Sequence, residues 1–490
     1  MSDIQTYKTR RRAPSIGFSL IPIALLLLGV VSVIIFRGAD DVQTYAKPLM
    51  LAAGCVAIAI ARLHCHRSWR IIGLGLRKSW LQIVPAVVAL FLIGTVSATW
   101  MLSGVVPTLI DYGLLILNQH LFLFIACAVC AVISVLTGSS WTTIATIGIA
   151  MMGIGKVMGY SDGWIAGAII SGAYFGDKIS PLSDTTVLAS SSCGVKLFDH
   201  IRYMMLTTTP SMTIALAIFF AAGFLTDTQP AVSSTEVMDA LHQTFHITPW
   251  VLIIPVITLV LIALRIHTFI TLSISTLLGL TGIFLFQPEL MQTLELQTGC
   301  SGVWASIVAS LQLLCTVTEL STGSELLDSL VCTGGIEGMM STVILVLCAL
   351  FFGGTLLGAG MLTTITQLFT HHLNTLLKTV AATVGSGLFL NCCTSDQYLS
   401  IILGGNLYKS LYRRNRLEPR LLSRSLEDSI SVTSVLIPWN SCGVTQATVL
   451  GVPTLTYLPY CIFNYVSPLM SIFMAWTGYK IRQGVSSGKA

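Results

Sequence analysis

The chain of 490 residues is 54% hydrophobic and only 10% charged, with a mean hydropathy of +0.82. Soluble proteins charge about a quarter of their residues, so an ordinary soluble protein is excluded. The net charge of +5 is too modest to signal nucleic-acid binding. Apolar runs of bilayer length recur from end to end with no large polar domain between them. The expectation is one all-α, polytopic membrane domain with about eleven to thirteen crossings.

Taken in order, residues 1–14 are a basic tail with Lys8, Arg10, Arg11 and Arg12, placed in the cytoplasm by the preference of Lys and Arg for that side. The run 15–36 reads as a first span rather than a cleaved signal. Asp40 and Asp41 mark an outer loop, and residues 15–79 form a two-span segment ending in a basic loop with Arg62, Arg67, Arg70, Arg77 and Lys78. Within that loop, His64-Cys65-His66 lacks further metal ligands. Residues 80–226 form the first half of the core, and within it 104–117 reads as a short surface helix or a re-entrant piece. Residues 227–300 hold two loops without Lys or Arg, carrying Asp227, Glu236, Asp239, Glu289 and Glu295, as outer loops should. Residues 301–476 form the second half. Glu319, Glu325, Asp328 and the pair His371-His372 read as loop residues. The basic loop Lys409, Arg413, Arg414, Arg416, Arg420 and Arg424 is assigned to the cytoplasm, as is the tail 477–490. The thirteen cysteines, Cys127-Ala-Val-Cys130 included, read as small apolar filler.

At what should be membrane depth, residues 175–186 read Phe-Gly-Asp-Lys-Ile-Ser-Pro-Leu-Ser-Asp-Thr-Thr. Charged groups there need a partner, an ion or a wet cavity. Proline and glycine predict a helix broken at 176–184, whose freed carbonyls and helix ends suit ion binding. The second half shows interrupted segments near 391–396 and 428–441. Asp177-Lys178-Ile179-Ser180 matches Asp428-Ser429-Ile430-Ser431, Ser192-Cys193-Gly194-Val195 matches Ser441-Cys442-Gly443-Val444, and Thr137–Trp141 aligns loosely with 394–398. Lys196 and Arg202 follow the first motif, whereas Arg420 and Arg424 precede the second, so two inverted-topology repeats and alternating access are expected.

Hard cations such as Na⁺ and Li⁺ take oxygen ligands. The breaks supply Asp177, Ser180, Ser183, Asp184, Thr185 and, upstream, Thr137 and Ser139 in one half. In the other they supply Asp396, Asp428, Asn440 and Ser441. A carboxylate that releases a proton when a cation arrives is a sufficient mechanism for exchange. Na⁺ is expected at Asp177, Asp184 and Asp396. Lys178 reads either as a placeholder cation pairing Asp177 or Asp184, or as an anchor for an anionic substrate; Asp428 reads either as an ion ligand or as a helix N-cap.

Gly176–Thr186 resembles the signature of the NhaC-type Na⁺/H⁺ antiporter family. Thr394-Ser395-Asp396-Gln397-Tyr398-Leu399 is similar to that family's Thr-Gly-Asn-Gln-Tyr-Leu element, and Thr137-Gly138-Ser139-Ser140-Trp141 also fits. The resemblance runs from about Trp80 onward and departs at Ser395-Asp396, where Gly-Asn is usual. It implies a secondary transporter of the bacterial inner membrane. Family members exchange Na⁺ for H⁺ or couple Na⁺ to malate and lactate. No HExxH motif occurs, so the expectation is a transporter and not an enzyme, with no cofactor, and with a homodimer left open.

Overall fold

A computed structural model describes residues 14–38, 41–226, 228, 234–318, 328, 331–370 and 373–481. The basic tail (Lys8, Arg10, Arg11 and Arg12), Asp40, Asp227, Glu319, Glu325 and His371-His372 lie outside the described residues. Among the described residues the chain is helical, with one isolated antiparallel bridge between Thr318 and Thr333. Eight helices are long and apolar enough to cross a bilayer, and ten candidate spans result if each of two sharply bent helix pairs counts as one. The sequence expectation of eleven to thirteen also counted the polar, broken segments. Large apolar side chains such as Leu28, Ile35, Leu225 and Leu285 face outward, the reverse of a soluble fold and suited to lipid.

Two long helices form the spine. Trp69–Leu102 has 34 residues and Gly335–Ala359 has 25. They pack closely because small residues line the seam: Gly75 lies against Gly354 and Gly358, and Gly94 against Gly335 and Met339. These contacts make the two helices antiparallel. Phe122–Thr137 packs on Asp162–Ile179 in the same small-residue manner, with Gly172 against Cys127 and Ala131.

Four helix breaks interrupt the remaining helices. Phe122–Thr137 ends at Gly138 in the left-handed region (φ 67°), and Ser139 caps the helix that starts at Ser140. Asp162–Ile179 ends before Ser180-Pro181-Leu182-Ser183, and Asp184–Cys193 follows. Leu376–Thr394 ends at Ser395, also left-handed (φ 57°), and Asp396 caps Gln397–Arg414. Pro419–Leu426 runs into a π-turn, Glu427–Ser431, then a short 3-10 turn, before Ser441–Leu450 begins.

The elements of the two halves fall in one register. Thr137 and Thr394 end their helices, Ser140 and Gln397 begin the next, and Gly194 and Gly451 close the short helices beyond; each pair is 257 positions apart (394 minus 137, 397 minus 140, 451 minus 194). The loose Thr137–Trp141 match follows this register. The two matches that looked closer in letters do not. Ser192-Cys193-Gly194 ends a helix, whereas Ser441-Cys442-Gly443 opens one. Asp177 lies one turn before a break, whereas Asp428 lies inside a π-turn.

Several regions read as loops are helical. The 226–248 loop contains Ser234–Thr244, and Glu289 and Glu295 sit on Pro288–Gln297. Val105–Ile116 is no surface helix, because Val105, Val106, Ile110 and Asp111 are buried. Arg424 departs furthest from its sequence reading. It is fully buried on Pro419–Leu426, not part of a solvated basic loop, and its guanidinium lies 4.7 Å from the Tyr203 ring centre. Stacking on an aromatic face offsets part of the cost of burying that charge.

Candidate functional site

The first two breaks cross. A Cβ added to Gly138 would stand 2.6 Å from that of Leu182, so only glycine admits this approach. The crossing brings Thr137, Ser139, Asp177, Asp184 and Thr185 to one cavity of about 670 Å³. Gln397 and Tyr398 join it from the second half, and helix Trp69–Leu102 supplies the apolar wall from Leu81 to Ile93. Exposed Arg265 and His267, on the turn between Ile253–Ala263 and Thr268–Phe286, stand at its mouth.

Asp177 is held at a helix start. Its Oδ2 accepts from the Ser140 amide at 3.2 Å and from the Ser140 hydroxyl at 2.7 Å. A helix N-terminus presents unpaired N–H groups and partial positive charge, both favourable to a carboxylate. Ser139 Oγ takes the next free amide, that of Thr142, at 3.2 Å. Asp184 opens its own helix, where an acid is again favoured, and is exposed to the cavity. The turn between them is internally satisfied: Ser180 Oγ accepts from the Leu182 amide, Ser183 Oγ and Thr185 Oγ1 lie 3.0 Å apart, and Thr186 Oγ1 donates to the freed Lys178 carbonyl at 2.9 Å. Ser180 and Ser183 therefore shape the break and do not line the cavity.

Lys178 points away from the cavity. It does not pair Asp177 or Asp184; its ammonium contacts Asp428, 250 residues on, and donates to Ser467 at 2.8 Å. Asp428 Oδ1 also accepts from Thr207 at 3.1 Å, and Arg424 Nε lies 3.9 Å from Oδ2. Lys178 is 1% exposed and Asp428 0%. Asp428 is thus neither a cap nor a cavity ligand, but one half of a buried ion pair joining helices from both halves. Ion pairs of this kind hold only when the geometry is good and further hydrogen bonds support them; Ser467 and Thr207 supply these at Oδ1, while Oδ2 has only the Arg424 charge beside it.

The third and fourth breaks also touch: the Ser441 amide donates to the Ser395 carbonyl at 2.9 Å. Asn440 caps its own helix through the Cys442 amide. Asp396 accepts from the Leu399 amide at 2.8 Å and is 8% exposed, in a separate pocket of only about 10 Å³. The structure thus divides the sequence candidates among an acidic cavity, a buried ion pair and a small pocket around Asp396.

Sequence reasoning missed Ser140, Arg265 and His267, and it missed the environment of Lys178. The Ser140 hydroxyl was visible as part of a polar cluster, but no local pattern indicates which carboxylate it meets. Among the described residues no group of three or more His, Cys, Asp or Glu could hold a metal ion.

The sequence profile described as the Na⁺/H⁺ antiporter family matches residues 14–192 and 172–479. The chain is 34% identical over 477 residues to the Na(+)/H(+) antiporter NhaC of Alkalihalophilus pseudofirmus, covering 95% of this chain and 96% of that one. It is 32% identical over 474 residues to the arginine/ornithine antiporter ArcD of Halobacterium salinarum, covering 96% and 93%. It is 34% identical over 403 residues to the malate-2H(+)/Na(+)-lactate antiporter of Bacillus subtilis, covering 81% of each.

Proposed function

The chain belongs to the Na⁺/H⁺ antiporter family, and from that premise we propose that it exchanges Na⁺ for H⁺ at a carboxylate site on the floor of the cavity, formed by Asp177 and Asp184. The observation that carries this reading is the geometry of Asp177. One of its oxygens is fixed by the Ser140 amide and hydroxyl. The Ser183 hydroxyl also bonds the carboxylate, which stands beside a second acid and the hydroxyls of Thr137, Ser139 and Thr185 in the same cavity. Such a set of hard oxygens suits Na⁺ or Li⁺. A carboxylate cannot hold a proton and serve as a full cation ligand at once, so each ion displaces the other. Lys178, Ser180, Ser183, Asp428, Asn440 and Ser441 support the frame around this site, and Asp396 belongs to the second half.

The protein would work in a bacterial inner membrane, as the family resemblance implies, with both termini cytoplasmic, as the Lys and Arg distribution indicates. The test uses inside-out vesicles acidified by respiration. Added NaCl should collapse the gradient in the wild type and not in Asp177→Asn or Asp184→Asn variants that are present at normal levels in the membrane. Full exchange by both variants would remove the assignment.

A second reading, Na⁺-coupled exchange of a small carboxylate, is favoured by the cavity volume of about 670 Å³, more than a bare cation needs, and by Arg265 at its mouth. Lys178 is already engaged by Asp428, so the anion would meet Arg265. Na⁺-dependent uptake of labelled malate or lactate, lost in Arg265→Ala, is the outcome this reading requires.

A further inference from the structure

The small pocket around Asp396 repeats part of the large cavity. Its wall includes Val346 and Leu350 of helix Gly335–Ala359, with Thr394, Asp396 and Leu399. The cavity wall includes Ala89 and Ile93 of helix Trp69–Leu102, with Thr137, Ser139 and Thr142. Each of these five pairs is separated by the 257 positions that relate the helix ends (346 minus 89, 399 minus 142). The local bonding repeats as well. Thr137 Oγ1 donates to the Ser139 carbonyl and meets Thr143 Oγ1 at 3.0 Å; Thr394 Oγ1 donates to the Asp396 carbonyl and meets Ser400 Oγ at 2.6 Å. The two sites differ in volume, about 670 Å³ against about 10 Å³. The smaller has room for about one water molecule.

Their directions differ too. The cavity runs from Ile93 toward Leu81, the N-terminal end of its helix, which follows the basic residues Arg62, Arg67, Arg70 and Arg77. The equivalent run from Leu350 leads toward the N-terminal end of helix Gly335–Ala359. That end packs beside Gly94, at the other end of the spine, because the two helices are antiparallel.

We propose that the Asp396 pocket is the second vestibule of the transporter, closed in this conformation, and that it opens to the outer face when the cavity at Asp177 and Asp184 closes. Asp396 stands where Ser139 stands in the open cavity, so the outer vestibule carries its own cation ligand. This rests on the transport reading above but not on which ion is carried. Opening needs Ser79 and Leu350 to part from the Thr394–Leu399 turn, since these residues enclose the pocket.

The test is sided thiol labelling of the full chain in oriented vesicles, with a membrane-impermeant maleimide and wild-type labelling subtracted for the native cysteines. Ala89→Cys and Val346→Cys are equivalent positions and small changes. Under turnover, A89C should react from the cytoplasmic face only and V346C from the outer face only. Conditions that slow labelling of one should speed the other. Labelling of V346C from the cytoplasmic face, or no labelling of V346C in a variant that still transports, would overturn the proposal. If V346C does not reach the membrane, Thr142→Cys and Leu399→Cys make the same comparison. Failure of wild-type vesicles to respond to Na⁺ would instead remove the ion assignment and leave the sidedness result standing.

Discussion

Ser140 illustrates how one side chain sets up this site. Its hydroxyl fixes Asp177 at 2.7 Å, alongside its own amide at 3.2 Å. A hydrogen bond to a charged group contributes about 1.5–3 kcal/mol. Ser140→Ala should therefore raise the Na⁺ concentration for half-maximal exchange by about tenfold, or ~1.4 kcal/mol, and Ser140→Thr should restore it. An unchanged value in S140A would mean that the carboxylate does not depend on that bond. At the same scale, Lys178 and Asp428 predict stability. Removing one partner of a buried pair costs about 3–5 kcal/mol. Lys178→Met and Asp428→Leu should each lower the melting temperature of the purified protein, and the double change Lys178→Met with Asp428→Leu should cost less than the two single changes summed. The acids were legible in the sequence because charge at membrane depth is conspicuous. Their partners were not, because Lys178 and Asp428 lie 250 positions apart. Arg424 looked cytoplasmic because five other basic residues precede it within 15 positions, and only the packed helix reveals its burial.

At the scale of elements, the breaks are defined by two left-handed residues. Gly138 reaches φ 67° at no steric cost, and Ser395 reaches φ 57° with a side chain. A left-handed residue other than glycine costs about 1–2 kcal/mol. Part of that is offset by the greater freedom glycine has in the unfolded chain. Ser395→Gly, which restores the residue usual in the resembling element, should raise thermal stability slightly and keep transport. Gly138→Ala should lower both, since its Cβ would meet Leu182 at 2.6 Å. A fall in melting temperature for S395G, or none for G138A, would contradict this account of the breaks. Proline, glycine and small polar residues marked three of the four breaks in the sequence; the one at Gly138 was not read as a break. Their register was harder to read. Matching letters such as Ser-Cys-Gly-Val suggested one alignment, while the helix ends keep another. Sequence similarity reports shared residues, whereas the structure keeps shared caps and turns.

For the whole molecule, the sequence already indicated a helical membrane domain with polar interruptions, because the length of apolar runs and the bilayer thickness constrain each other. It could not indicate that one half presents an open cavity and the other a nearly closed pocket, since that difference is one of conformation. The central claim is that Na⁺ and H⁺ share the Asp177–Asp184 site. The most direct measurement is the initial rate of Na⁺-driven proton movement in vesicles, over a grid of Na⁺ concentration and pH. Competition for one site predicts that the half-saturating Na⁺ concentration rises as the pH falls, approaching about tenfold per unit for a single shared proton, while the maximal rate is unchanged. A half-saturating concentration independent of pH, with only the maximal rate changing, would mean that proton and cation bind at separate places and would contradict the account.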